Sequence, residues 1–214
     1  MNPKVKNALE WGYCILIAIV LALLVRNFIG TPTIVKQKSM YPTLKPDQRL
    51  ILNRLKVTFH KDIKRGDIIT FEAPSVTKID EKDADMANPI AIYNNEPKGW
   101  FKRFIYYGLE WGKITYIKRV IGLPGEHIEI KDNKVYINGN EFNESYLDSS
   151  VVTTDLGGAF TDLIVPEGCV FAMGDNRPES TDCRSFGCIP IDKIEGVVAF
   201  RFWPLNTWGN PNKK

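Results

Sequence analysis

The chain has 214 residues, 44% of them hydrophobic, with a formal charge of +3. That length allows one domain, or one domain with an embellishment, and is enough to bury a core. The small charge and scattered Lys and Arg exclude nucleic acid as a partner. The four cysteines form no C-x-x-C pair and the histidines, His60 and His127, are far apart, so neither a zinc site nor another cofactor is expected.

Residues 1–7 read as a short N-terminal tail. From Trp11 to Val25 there is no charged residue, and the apolar run extends over 8–29. As a helix that span reaches about 33 Å, enough for a hydrocarbon core of about 30 Å. Trp11, Tyr13 and Phe28 lie near its ends, where aromatic rings favour the membrane interface. A cleaved leader would need a small-x-small site after the run, and Arg26-Asn-Phe-Ile-Gly-Thr-Pro32 has none, so an uncleaved transmembrane anchor is expected. Lys4 and Lys6 on one side nearly balance Arg26, Lys36 and Lys38 on the other, so charge alone sets no orientation.

After the anchor, residues 30–214 read as a β-rich domain. Thr33 to Val35 is a short extended segment. Gln48 to Leu55 and Ile68 to Phe71 have strand character, the latter behind the turn Lys64-Arg-Gly-Asp67. Residues 75–113 read as an insertion or flap, charged at first and aromatic from Trp100 to Trp111. Those aromatics could pack on the β core or dip into the membrane interface. Strand signals resume at 114–121. Two hairpins follow, turning at Asp132-Asn133 and Asn138-Gly139, then Val170 to Met173 and Ile194 to Trp203. The expectation is a mainly β fold: a coiled antiparallel sheet, partly closed and barrel-like, with one transmembrane helix.

Three segments offer chemistry. Ser39 stands before Met-Tyr-Pro-Thr-Leu44; it could be a plain turn serine, or a nucleophile held ahead of the bend that Pro42 stiffens, its N–H facing a developing oxyanion. Lys118 interrupts the apolar run 114–121. Alternation puts Tyr116, Lys118 and Val120 on one face, and Ile117, Arg119 and Ile121 on the other. It could be an edge gatekeeper that reaches water. If buried instead, its pKa falls from about 10.4 towards neutrality, at roughly 3 to 4 kcal/mol, and the neutral amine can take the proton of a serine. The loop Gly174 to Gly187 is dense in turn formers. Its hydroxyls could hold a neutral lysine, and Asp182 and Arg184 could pair. Cys183 and Cys188 flank a short segment and could bridge in an oxidising compartment.

Ser39-Met-Tyr-Pro-Thr-Leu44, Arg65-Gly-Asp67, Tyr116-Ile-Lys-Arg-Val-Ile-Gly122 and Gly174-Asp-Asn-Arg177 through Asp182, Arg184 and Phe186-Gly187, in this order behind the anchor, resemble the blocks of bacterial type I signal peptidases of the serine–lysine kind. The resemblance implies a nucleophilic Ser39 and a Lys118 general base, with Ser180 orienting the amine. It implies an Asp182–Arg184 structural ion pair, and a substrate pocket from Val35, Met40, Leu44, Tyr116 and Ile117 that admits small side chains. Where some relatives carry a hydroxyl residue as oxyanion donor, this chain has Gln37, whose amide could donate instead. Cys183 stands where a serine is common. The resemblance further implies a single-pass protein of the cytoplasmic membrane, its domain on the extracytoplasmic side. It would work as a monomer and cut preprotein signal peptides after a small-x-small motif. The short insertion looks more like the single-anchor enzymes of Gram-positive bacteria than the two-span forms.

Two other readings fit parts of the chain. A self-cleaving repressor also uses a serine–lysine pair on a β fold, but needs a DNA-binding domain where this chain has an apolar run. An anchored β-rich binding module would leave an Ala-x-Ala peptide intact.

Overall fold

A computed structural model describes residues 3–59, 63–148 and 150–212. Met1 and Asn2 of the expected tail, and His60, lie outside them. The apolar run forms helix α1, Pro3–Leu24, which ends in a five-residue π-helical turn, Val25–Ile29. The stretch Lys4–Ile29 is long and apolar enough to cross a membrane, and none of its central window is buried against the protein.

The chain leaves this helix directly into β1 (Gly30–Ile34). Then come β2 (Arg49–Asn53), α2 (Leu55–Thr58), β3 (Ile68–Glu72), α3 (Trp100–Arg103) and β4 (Thr115–Gly122). The strands β5 (His127–Lys131), β6 (Lys134–Ile137), β7 (Asn140–Glu141), β8 (Asp162–Ile164) and β9 (Cys169–Met173) follow. The short α4 (Cys183–Phe186), β10 (Ile189–Pro190) and β11 (Ile194–Trp203) complete the elements. Strand pairing is antiparallel throughout, in a seven-stranded sheet ordered β1-β2-β11-β3-β4-β9-β10 and a four-stranded sheet ordered β7-β6-β5-β8.

The hairpin turns have the backbone that a two-residue loop requires. Asp132 and Asn133 have φ of 51° and 63°, and Asn138 and Gly139 of 52° and 78°. Positive φ at both central residues matches the right-handed twist of the flanking strands. The large sheet bends but does not close into a barrel. β11 shifts register at three places and β4 at one, and such irregularities curve a sheet.

One apolar core fills the space between the sheets, joining Phe71, Val120, Phe171 and Met173 of the large sheet to Ile128, Val135, Ile137 and Leu163 of the small one. Gly122 permits this approach, because a Cβ there would lie 2.7 Å from Ile128 Cδ1 and 3.1 Å from Phe171 Cβ. A second cluster, Val35, Met40, Leu44, Leu50, Leu52, Ile68 and Val198, lies under the segment after β1, with Ile117 packed against it.

Phe171 is wholly buried in the first core. Its replacement by alanine is expected to lower unfolding free energy by about 3–5 kcal/mol. Denaturant titration of the detergent-solubilised chain measures this, and a loss below about 1 kcal/mol would contradict the packing between the sheets.

Candidate active site

Ser39 and Lys118 come from segments 79 positions apart, and the fold brings them into contact: Lys118 Nζ lies 2.8 Å from Ser39 Oγ. Both are buried, Ser39 at 6% exposure and Lys118 at 1%. Lys118 reaches this place from β4. On the same face the Tyr116 ring centroid stands 5.3 Å from the amine. Tyr116 itself packs edge-on against Phe71 and tilted against Phe186. Burial depresses the Lys118 pKa to about 8; Asp182 and Cys183 oppose the shift, and Arg184 adds to it.

Ser39 is held by its neighbours' main chain. Tyr41 N–H donates to Lys38 O at 2.9 Å and Leu44 N–H to Met40 O at 2.9 Å, and the Tyr41–Pro42 peptide is cis. Asn176 N–H donates to Ser39 O at 3.0 Å, and its side-chain amide donates to Lys38 O at 3.2 Å. These bonds fasten the loop after β9 onto the serine segment. Gly174 makes the approach possible, since a Cβ there would fall 2.3 Å from Ser39 O and 2.2 Å from Ser180 Oγ. Ser180 therefore sits beside the pair. Its buried hydroxyl makes no hydrogen bond, neither to Lys118 nor elsewhere.

Asp182 and Arg184 pair as the sequence suggests, through two 2.8 Å contacts, and both are fully buried. Asp182 also accepts Gly174 N–H at 3.0 Å, while Arg184 donates to Arg177 O and Thr154 O, each at 2.8 Å. Burial alone would raise the Asp182 pKa, but the Arg184 hydrogen bonds and charge hold it below the ordinary carboxylate range. All four cysteines are free thiols, so no bridge joins Cys183 to Cys188. Cys183 Sγ accepts Ala172 N–H at 3.1 Å.

Sequence reasoning missed two companion pairs. Arg119 binds Asp175 through two contacts at 2.9 and 2.7 Å, and the fully buried Arg177 binds Glu144. The available signal was Arg119 itself, a second cation in an apolar strand. Alternation turns it away from Lys118, and burial obliges it to find a carboxylate. No spacing rule identifies a partner 56 positions away.

A groove of about 440 Å³ is lined by Gln37, two residues before Ser39, and by Ile117, next to Lys118, but by neither Ser39 nor Lys118 itself. Thr33 to Gln37 form one wall, Ile114 to Ile117 the other, and Thr70 also lines it. Of the expected pocket residues, Val35, Tyr116 and Ile117 line this groove. Met40 and Leu44 are fully buried in the second core cluster instead. Gln37 is exposed and lines the groove, with no hydrogen bond to its amide. The two walls carry free strand edges. β1 is the outermost strand of its sheet, and β9 pairs with β4 only from Arg119 onward, leaving Thr115 to Lys118 unpaired on that side.

Residues 8–203 match the family described as "Signal peptidase, peptidase S26". "Signal peptidase I T" of Bacillus subtilis strain 168 is 37% identical over 211 residues, 96% of this chain and 90% of that protein. "Signal peptidase I P" of Bacillus subtilis subsp. natto is 37% identical over 209 residues, 95% and 92% of the two chains. A crystal structure of a signal peptidase I from Enterococcus faecalis V583 is 30% identical, covering 65% of this chain and 98% of its own, with a TM-score of 0.42.

The buried amine has a stability signature. The folded chain releases the Lys118 proton near pH 8, whereas the unfolded chain holds it to about 10.4. The unfolded state therefore binds more protons between those values, and stability rises with pH across that window. Below pH 8 the burial penalty is complete, about 3 kcal/mol. Lys118→Met is expected to stabilise the chain by up to that amount at pH 7, with the gain shrinking above pH 8. A variant less stable than wild type at pH 7 would contradict a strained, desolvated amine.

Proposed function

This chain belongs to the signal peptidase family, peptidase S26, and from that premise we propose that it removes signal peptides from exported preproteins, with Ser39 as nucleophile and Lys118 as general base. The observation that carries the reading is the 2.8 Å contact between a buried hydroxyl and a buried amine whose pKa is depressed to about 8. A group that titrates there is largely competent as a base at mildly alkaline pH and only partly so at neutrality.

As Ser39 Oγ attacks the scissile carbonyl, the neutral Lys118 amine takes the hydroxyl proton. The resulting ammonium then gives that proton to the departing amine as the peptide C–N bond breaks. The acyl-enzyme that remains is hydrolysed when the same amine, neutral again, deprotonates a water. Ser39 N–H makes no hydrogen bond among the described residues and is free to stabilise the oxyanion, and the unengaged Gln37 amide is the second donor. The buried Ser180 hydroxyl, which has no hydrogen-bond partner in the resting chain, is free to turn to the amine and orient it.

The substrate lies extended between the free edges of β1 and β4 and completes the main-chain hydrogen bonds those edges lack. The apolar side chains of Val35, Tyr116 and Ile117 leave room for alanine-sized groups, hence cleavage after a small-x-small motif. Met40 and Leu44 support this wall from behind. The apolar helix anchors the enzyme in the cytoplasmic membrane, with the domain on the extracytoplasmic side where exported chains emerge.

The aromatic stretch belongs to the same membrane reading. Trp100 is 81% exposed and Trp111 77%, and Phe101 and Phe104 are also exposed, so these rings do not pack on the β core. Glu110 ties the segment to the foot of the anchor: Arg26 donates to it at 2.9 Å, and Arg54 also pairs with it. Rings held there rest in the lipid interface and fix the depth of the site.

Ser39→Ala and Lys118→Met are each expected to abolish cleavage of an Ala-x-Ala peptide by the purified, folded chain. Wild-type-like turnover in either variant would remove that residue from its role. For the wild type, kcat/KM should rise about tenfold per pH unit below pH 8 and level off above it, because only the unprotonated amine is active. A flat profile from pH 6 to 9 would contradict a lysine base. In nanodiscs, lipids brominated near the headgroup should quench the tryptophan emission, and Trp100→Ser with Trp111→Ser should remove part of that quenching. An unchanged quenched fraction would place both rings in water.

A further inference from the structure

A cavity of about 1050 Å³ is separate from the groove. It is rich in positive charge. Lys45, Lys64, Arg65, Arg119 and Arg201 line it, against the single carboxylate of Asp67. Three of these six charges are already matched. Arg65 pairs with Glu126, Arg119 with Asp175, and Asp67 with Lys56. Lys45, Lys64 and Arg201 have no carboxylate partner among the described residues.

Among the described residues, Arg201 binds only neutral acceptors. Its Nε donates to Thr207 O at 2.6 Å, and its Nη1 to Thr43 O at 3.2 Å and Gln48 Oε1 at 3.3 Å. All three acceptors are neutral, and Nη2 makes no hydrogen bond. Partial burial lowers the Arg201 pKa, the signature of a cation withdrawn from water without a counter-ion.

A loop beside the cavity exposes apolar side chains. Arg201 and Gly209 exchange main-chain hydrogen bonds of 2.8 and 3.0 Å, closing a loop between them. Pro204, Asn206 and Thr207 of this loop line the cavity, while Trp203, Leu205 and Trp208 are exposed. Phe200 braces Trp208 edge-on, with ring centroids 4.5 Å apart. A ligand suited to both parts carries an anionic phosphate joined to hydrocarbon. Inorganic phosphate would satisfy the cations and leave the exposed loop without a partner.

We propose that this cavity binds the phosphate headgroup of an anionic phospholipid, with the Trp203–Trp208 loop seated against the acyl region. Arg201 and Lys45 take the phosphate oxygens, with Lys64 at the mouth. The site is distinct from Ser39 and Lys118, so its failure leaves the peptidase reading untouched.

The test is native mass spectrometry of the full chain in detergent, titrated with phosphatidylglycerol or with phosphatidylcholine of the same acyl chains. Phosphatidylglycerol is expected to bind at least about tenfold more tightly. Each cation removed should weaken it by about fivefold, so Lys45→Gln with Arg201→Gln should weaken it by about 25-fold. Lys45→Gln with Lys64→Gln, which leaves the Arg201 hydrogen bonds intact, should do the same. Lys131→Gln with Lys134→Gln, on the β5–β6 hairpin and outside the cavity lining, should leave binding unchanged. Equal affinity for the two lipids, or equal losses in the cavity and hairpin variants, would overturn the proposal. Displacement of phosphatidylglycerol by an equal concentration of inorganic phosphate would also overturn it and identify the free ion as the ligand.

Discussion

The structure turns on keeping one amine out of water without giving it a counter-ion. Lys118 sits on a central strand at 1% exposure, and its contact is a serine hydroxyl rather than a carboxylate. A carboxylate free to bind it would restore the charged form. The nearest acid with such an effect is Asp182, and Arg184 occupies both of its oxygens. The Asp182–Arg184 pair thus does two things. It ties the loop after β9 together, and it keeps a negative charge committed elsewhere. Such a pair contributes little net stability by itself, because desolvation offsets the attraction. Its value lies in where it holds Gly174 and Ser180.

The same loop carries the rest of the scaffold. Gly174 donates to Asp182 and lies between Ser39 O and Ser180 Oγ, at a distance no side chain would allow. Asn176 grips the serine segment from one side, and Arg177 donates back to Gly174 O at 3.1 Å. Three buried arginines, Arg119, Arg177 and Arg184, each find an acid, so the polar groups under the site are paired with one another. The hydroxyl of Ser180 is the exception: it lies beside the pair, buried and without a partner.

Much of this was legible in the residues. Period-two alternation and turn chemistry located the β5–β6 and β6–β7 hairpins, whose Asp132-Asn133 and Asn138-Gly139 backbones adopt the required positive φ. The uncharged run before Arg26 marked the long apolar helix, which begins earlier than residue 8, at Pro3. The two-residue β10 and the three-residue β8 were not legible, because so short a segment has no periodicity. The expected coiled, partly closed antiparallel sheet is present, and the bulges in β11 curve it while leaving β1 and β10 as open edges. Lys118 stood out as a cation in an apolar run, whereas Ser39, Lys118, Asp182 and Arg184 were readable as a set only through the resemblance to bacterial type I signal peptidases. Which of the apolar neighbours face the groove was not readable. Val35 and Met40 share one core cluster, and only Val35 also lines the groove. The 75–113 segment was set apart by composition, but its attachment through Glu110 to Arg26 and Arg54 joins residues too distant for pattern to connect.

The direct measurement is the ionisation of Lys118 itself. Lysine labelled with carbon-13 at Cε, observed by NMR in the full chain and assigned by loss of one signal in Lys118→Met, reports the charge on each amine. The account predicts one lysine resonance that titrates with a midpoint near pH 8, well below the rest. If the Lys118 resonance instead titrates with the others near 10.4, the amine is charged at working pH and cannot accept the serine proton.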